Sequence, residues 1–155
     1  MKHVFSIDVE EWFHILETGR VSENPADWNR LPPRVETSMG YLLDVLGKNN
    51  TTATLFFLGW IAEKYPALVK LAHERGHEIA VHGYYHNLVY NQTYDEFHEE
   101  IGNAKDKLEN IIGAPVKGYR APGFSITKET VWAYKALMEL GFQYSSSVFP
   151  AKRAH

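Results

Sequence analysis

Short β-type runs alternate with longer helical patterns along this chain, and that order constrains the fold more than any other feature. "HVFSI" (3–7), "TATLFFL" (52–58), "HEIAV" (77–81), "VKGY" (116–119) and "FQYSSS" (142–147) read as five strands. Between them, Val35, Met39, Leu42 and Leu46 share one helical face, and Ile61, Tyr65, Leu68 and Ala72 share a second. Tyr94, Phe97, Ile101, Ala104, Leu108 and Ile111 form a long third stripe, and Val131, Tyr134 and Met138 mark a fourth helix. Parallel strands need crossover connections, so this alternation predicts β/α units around a parallel sheet.

The punctuation agrees. Thr93 and Glu96 form a capping-box pattern at the start of the third helix, while Gly76, Gly113 and Gly141 each stand between a helix and the next strand. The stretch "ETGRVSENPADWNRLPPR" (17–34) is the one long irregular segment and is expected to wrap the surface. A closed eight-unit barrel usually takes about 250 residues. The 155 residues here supply about five β/α units, so the pattern predicts one α/β domain over 1–155, either an open sheet or the first part of a longer barrel.

Composition excludes several classes. Apolar residues make up 45% and charged residues 23%, enough for one real core. A net charge of −3, with lysine and arginine scattered, offers nucleic acid no electrostatic footprint. No cysteine is present, so any metal must be held by histidine and carboxylate. The opening apolar run breaks at Asp8 and no later one approaches about 18 residues, so the expectation is a soluble, cytoplasmic chain without export signal or membrane span.

In parallel α/β proteins the functional side chains gather where strands end. Strand one runs into "DVEEW", strand three into "HGYYH" and strand four into "YRAPGFS", all on one rim. His82 and His86 stand four apart, with Gly83 between them to permit a tight turn, a spacing that can present two imidazoles to one cation. Two ordinary loop histidines would show the same spacing. A hydrolytic metal needs a third protein ligand, and strand alternation sends Asp8 and Glu10 to one side and Glu11 to the other. One of that pair can bind the metal while the other takes a proton from water. Arg120 can aim such a carboxylate, and the backbone N–H of Gly123 can donate to an oxyanion. His14, His73, His77 and His98 fit solvated loops and helix faces, and the serines at 145–147 fit a strand end near the site.

Jointly these segments resemble the polysaccharide deacetylases of carbohydrate esterase family 4. "SIDVEEWFH", "TATLFFLGWIAEKYP", "GHEIAVHGYYH", "GYRAPGFSI" and "YSSSVFP" look most like the branch associated with exopolysaccharide biosynthesis. The resemblance implies a distorted (β/α) barrel, here missing its C-terminal strands, and a metal-dependent hydrolase that removes acetyl groups from an N-acetylated polysaccharide or amino sugar. It matches Asp8 to the catalytic base, and His82 and His86 to metal ligands, with Glu10 as the third in a DxD-like variant. Arg120 matches the residue that tethers the base, and Gly123 the oxyanion amide. Tyr84, Tyr85 and Phe124 are expected at the sugar groove. Zinc is the first choice of cation, with cobalt and nickel fitting the same ligands. The family's late histidine acid and its aspartate–tryptophan motif have no counterpart, and the terminal His155 is a poor substitute. The chain therefore reads as an incomplete copy, with a homo-oligomer or another chain admitted as a partner that completes it. Two rival readings are a non-catalytic glycan-binding module and, less well matched, a glycoside hydrolase using Asp8 and Glu10.

Overall fold

A computed structural model describes residues 4–14 and 24–148. His155 and the first part of the irregular stretch, residues 17–23, lie outside the described residues. Five strands, β1 (Ser6–Val9), β2 (Thr54–Phe57), β3 (Glu78–Val81), β4 (Gly118–Tyr119) and β5 (Tyr144–Ser145), pair in chain order, all parallel. The sheet is open among the described residues, a partial barrel-like α/β fold. Each strand is shorter than its apolar run, and β1 lies later in the sequence than "HVFSI". Val4 and Phe5 are exposed there, while the ladder carries on to Asp8 and Val9.

Helices α1 (Pro25–Trp28), α2 (Val35–Lys48), α3 (Gly59–Lys64), α4 (Pro66–Glu74), α5 (Tyr94–Ile112) and α6 (Trp132–Glu139) supply the connections. Side chains alternate across a strand. Val9, Leu55, Phe57, Ile79, Val81 and Tyr119 accordingly join one core with Leu43, Ile61, Val69, Phe97, Ile101 and Leu108 from the helices. The register aligns Asp8, Phe56 and Ala80 on the opposite face. Long α5 carries the capping box read from Thr93 and Glu96, and Gly76, Gly113 and Gly141 all take positive φ.

Three readings of the helices need correction. The 61–72 face is two helices, because Pro66 cannot continue α3 and instead starts α4 at its first turn. The fourth stripe marks the wrong side of α6: Val131 is 59% and Met138 69% exposed, while Ala133, Ala136 and Leu137 are buried. Small Ala residues hid that face, which packs against α5. The irregular stretch also holds α1, opened by Pro25 behind the Asn24 side chain, which accepts from the Ala26 N–H. Trp28 is buried there instead of lying on the surface. Among the described residues no helix is long and apolar enough to cross a membrane.

One close approach ties this scaffold to the rim. Gly59 at the start of α3 lies against the ring of Tyr84, and an added Cβ would overlap that ring. Gly59→Ala is expected to cost about 1 to 3 kcal/mol through overpacking, read as a lowered urea midpoint with unchanged slope.

Candidate metal centre

The site is built one residue beyond the strands. The parallel ladder continues there, with the N–H of His82 donating to Phe57 O (2.8 Å), that of Arg120 to Val81 O (2.9 Å) and that of Ser146 to Tyr119 O (2.8 Å). Three side chains from distant parts of the sequence are therefore brought to one edge, beside Asp8 near the end of β1.

Arg120 organises that edge. Its Nη1 donates to Asp8 Oδ1 at 2.7 Å, and its Nη2 donates to Ser6 Oγ (2.8 Å) and Ser146 Oγ (2.9 Å). The guanidinium carbon sits 4.1 Å from the centre of the Phe56 ring and 5.8 Å from that of Phe124. Its carbonyl oxygen accepts from His82 Nδ1 at 2.9 Å. That bond places the His82 proton on Nδ1 and leaves the Nε2 lone pair facing Asp8, whose Oδ2 is 3.9 Å away.

His82, His86 and Glu10 each offer one ligand atom, all within 4.8 Å of one another. His86 Nε2 is 3.1 Å from Glu10 Oε2, yet that buried oxygen has no hydrogen-bond partner, so the two atoms converge without bonding to each other. An orphaned buried carboxylate oxygen is costly unless something else satisfies it. Two imidazole nitrogens and a carboxylate oxygen fit a first-row divalent cation with an open position for water. His86 holds a positive φ of 61° and Gly83 one of 91°, which lets the loop double back and aim both rings inward.

Burial dominates the electrostatics of the cluster. Burial, aided by the Asp8 charge, pushes the Glu10 carboxyl up to about 7. Burial, with His82 beside it, pushes His86 down to about 4. His82 is also lowered by burial, against the opposing pull of Asp8. Ligand atoms must be unprotonated to bind a metal, and both imidazoles meet that condition at neutral pH.

Glu10 and Glu11 part company. Glu11 is 1% exposed and turned away, its carboxylate accepting the N–H groups of Arg34 (2.9 and 3.0 Å) and Val35 (3.1 Å) at the start of α2. The sequence offered no sign of that cap, since Arg34 is an ordinary residue at a helix start.

Other placements differ from expectation. His14 is buried, not solvated: Phe13, Trp28 and Trp60 box it in, and its ring lies nearly parallel to that of His86 at 6.5 Å. Its Nδ1 accepts the Glu11 N–H, its buried Nε2 has no partner, and burial drives it down to about 3. His77 is buried as well, accepting the Ala53 N–H. Tyr84 is buried, its hydroxyl on Glu63, and with the more exposed Tyr85 it lines a cavity of about 880 Å³ between α3 and α5. Gly123, with φ of 58°, sits in the 3₁₀ turn Pro122–Phe124 just after Arg120. Of the three serines, Ser146 serves Arg120 and Ser147 accepts the Ala121 N–H (2.9 Å).

An open parallel α/β sheet bearing a histidine, histidine and carboxylate cluster beside an arginine-held aspartate defines a candidate metal-site protein. Residues 28–144 match the family model for polysaccharide deacetylase, and the chain belongs to that family. It is 34% identical over 93 residues to a peptidoglycan-N-acetylglucosamine deacetylase of Bacillus cereus, covering 59% of this chain and 34% of that protein. Over 144 residues it is 24% identical to a Helicobacter pylori peptidoglycan deacetylase, covering 93% of this chain and 48% of that one. A polysaccharide deacetylase candidate from Mycobacterium smegmatis superposes with a TM-score of 0.76 at 28% identity, over 94% of this chain and 50% of the other. A carbohydrate esterase family 4 pseudoenzyme from Bacillus anthracis superposes at 0.69 with 17% identity, over 92% and 41% of the two chains. This chain spans about a third to a half of the length of those curated relatives.

Two outcomes follow from the site. Glu11→Gln should destabilise the fold by about 1 to 3 kcal/mol, because it disturbs buried N–H acceptors, while leaving zinc affinity by calorimetry near wild type. Glu10→Gln should do the reverse. Acidification is the second. The lowered histidines (His14, His77, His82, His86) take up protons on unfolding, so their stabilisation is present above about 6.5 and lost as pH falls. The raised Glu10 acts oppositely, favouring the folded state as pH drops from about 7 towards 4.5. Four groups outweigh one, so thermal melts in chelator should show a lower midpoint at pH 5 than at pH 7.

Proposed function

We propose that this chain carries the metal centre and base of a divalent-metal-dependent deacetylase acting on N-acetylated amino-sugar polymers. The convergence of Glu10, His82 and His86 beside the Arg120-held Asp8 carries the reading. Family membership supports the reaction class, and the names of the peptidoglycan and chitin deacetylases among its relatives support an N-acetylhexosamine polymer as substrate. The motif wording favours an exopolysaccharide within that class.

Glu10, His82 and His86 would hold the cation, zinc first, with cobalt and nickel suiting the same donors. When bound, it supplies Lewis-acid polarisation and lowers the pKa of water towards about 7. The residues of the chain do the rest. Asp8 accepts the proton of the attacking water, aimed by its bond to Arg120. The water oxygen adds to the acetyl carbonyl carbon, and the Gly123 N–H donates to the oxyanion that forms. The carbon–nitrogen bond then breaks, with the proton passing to nitrogen, leaving acetate and a free amine. Phe124, next to the Arg120 guanidinium, and the exposed Tyr85 offer faces to a sugar ring.

A binding module without turnover is the second reading, favoured by the pseudoenzyme among the structural neighbours. Acetate release set against glycan binding on the unaltered chain separates the two, binding without release supporting the module, and Asp8→Asn tests the base. Acetate release from an N-acetylhexosamine oligomer should fall about 10²- to 10⁴-fold, with zinc affinity retained. Chelation should abolish release and added zinc restore it. Release that survives both treatments, or new reducing ends in place of acetate, would refute the deacetylase reading.

A further inference from the structure

The loop that carries both histidines is fastened from two sides, and one fastener lies on a helix that contributes nothing else to the site. The carbonyls of Gly83 and Tyr84 accept the N–H groups of Gly59 (2.9 Å) and Trp60 (3.1 Å), the first donors of α3. The opposite edge of the same loop offers two N–H groups, those of Tyr84 and Tyr85. Both donate to a single carboxylate oxygen, Glu100 Oε1, at 2.9 and 3.3 Å. Its other oxygen, Oε2, accepts from the side chains of Asn87 (2.8 Å) and Gln92 (2.6 Å), the residues that lead the chain out of the loop.

Glu100 belongs to the second turn of α5, between Phe97 and Ile101, whose side chains are locked into the core. Its position is thus set by the helix and not by the loop it holds. Four donors converge on two oxygens, a pattern that an acceptor-only carboxylate satisfies fully. The loop needs such an anchor. Two of its residues, Gly83 and His86, take positive φ, and His86 does so without the freedom of glycine. A non-glycine residue persists there when its surroundings over-determine it.

We infer that Glu100 is a positioning residue for the proposed metal centre: by receiving the Tyr84 and Tyr85 N–H groups it fixes the turn that points His82 and His86 at one cation. The inference rests on the proposed function for the cation but not for the loop geometry. Glu100 touches neither ligand ring, so its effect runs through the backbone between them.

The experiment compares Glu100→Gln with Glu100→Met in the whole chain, by two readouts. Zinc affinity is measured by competition with a chromogenic chelator, and amide hydrogen exchange at Tyr84 and Tyr85 is followed in metal-free protein. Met matches the length of Glu without an acceptor. Gln keeps one carbonyl oxygen for the two N–H groups, and its NH₂ can face Asn87 and Gln92 once their amides turn. Met should weaken zinc about 10- to 100-fold and speed exchange of both amides about tenfold, whereas Gln should restore both. Wild-type behaviour of the Met variant, or equal losses in Met and Gln, overturns the inference. Asn87→Ala, which removes one of the two donors to Oε2, should shift both readouts the same way by less, and decides the matter if the Met variant does not fold. A wild-type chain that binds none of zinc, cobalt and nickel would sink the deacetylase reading, while hydrogen exchange would still judge Glu100.

Discussion

The guanidinium of Arg120 is the interaction on which the site depends. It lies 112 residues from Asp8 in sequence, yet bonds to Asp8 and Ser6 from one edge strand and to Ser146 just beyond the other. A buried charge is tolerable only when paired and fully hydrogen-bonded. Arg120 meets that demand with a carboxylate, two hydroxyls and the face of Phe56. The same residue's carbonyl selects the His82 tautomer. Position 120 therefore orients both Asp8 and His82, the first through its side chain and the second through its backbone, so loss of the guanidinium would leave the Asp8 charge unpaired while the carbonyl still held the His82 ring.

The two adjacent glutamates show how a strand end divides labour. Glu10 keeps the direction of Asp8 and meets the imidazoles, whereas Glu11 reaches back to close the first turn of α2. An anion there also complements the positive end of the helix. Exchanging their environments would need a one-residue slip of β1, which would also drive Val9 out of the core. Hydrophobic burial of Val9 thus fixes the register that aims Glu10.

Much of this was legible in the sequence, for definite reasons. Apolar runs and their glycine stops announced a parallel sheet, because period-2 and period-3.6 patterns are properties of local sequence. Strand-end placement made Asp8, Glu10, His82, His86 and Arg120 candidates, and the fold brings those five together. What local pattern could not convey is pairing across space. Glu100 sits on the polar side of an amphipathic helix and looks like a solvated charge, and only the packing of α5 against the loop reveals its partners. His14 reads as a loop residue until Trp28 and Trp60 close over it. In α6, alanines carried the buried face, and the larger Val131 and Met138 drew the stripe to the wrong side.

The donor cluster also has an energetic consequence for the fold. His82 and His86 are buried beside one another and lowered by that burial, while Glu10 is raised by burial beside Asp8. Desolvation leads all three shifts, and the Asp8 charge adds to that of Glu10. A divalent cation would reverse the sign of the local field, favouring the ionised carboxyl and satisfying its orphaned oxygen. Because Glu10 follows β1 and both histidines follow β3, the three groups converge only when the sheet is assembled. Binding free energy at such a centre is then folding free energy. The convergence that would let these side chains hold a cation would thus also couple its binding to assembly of the sheet.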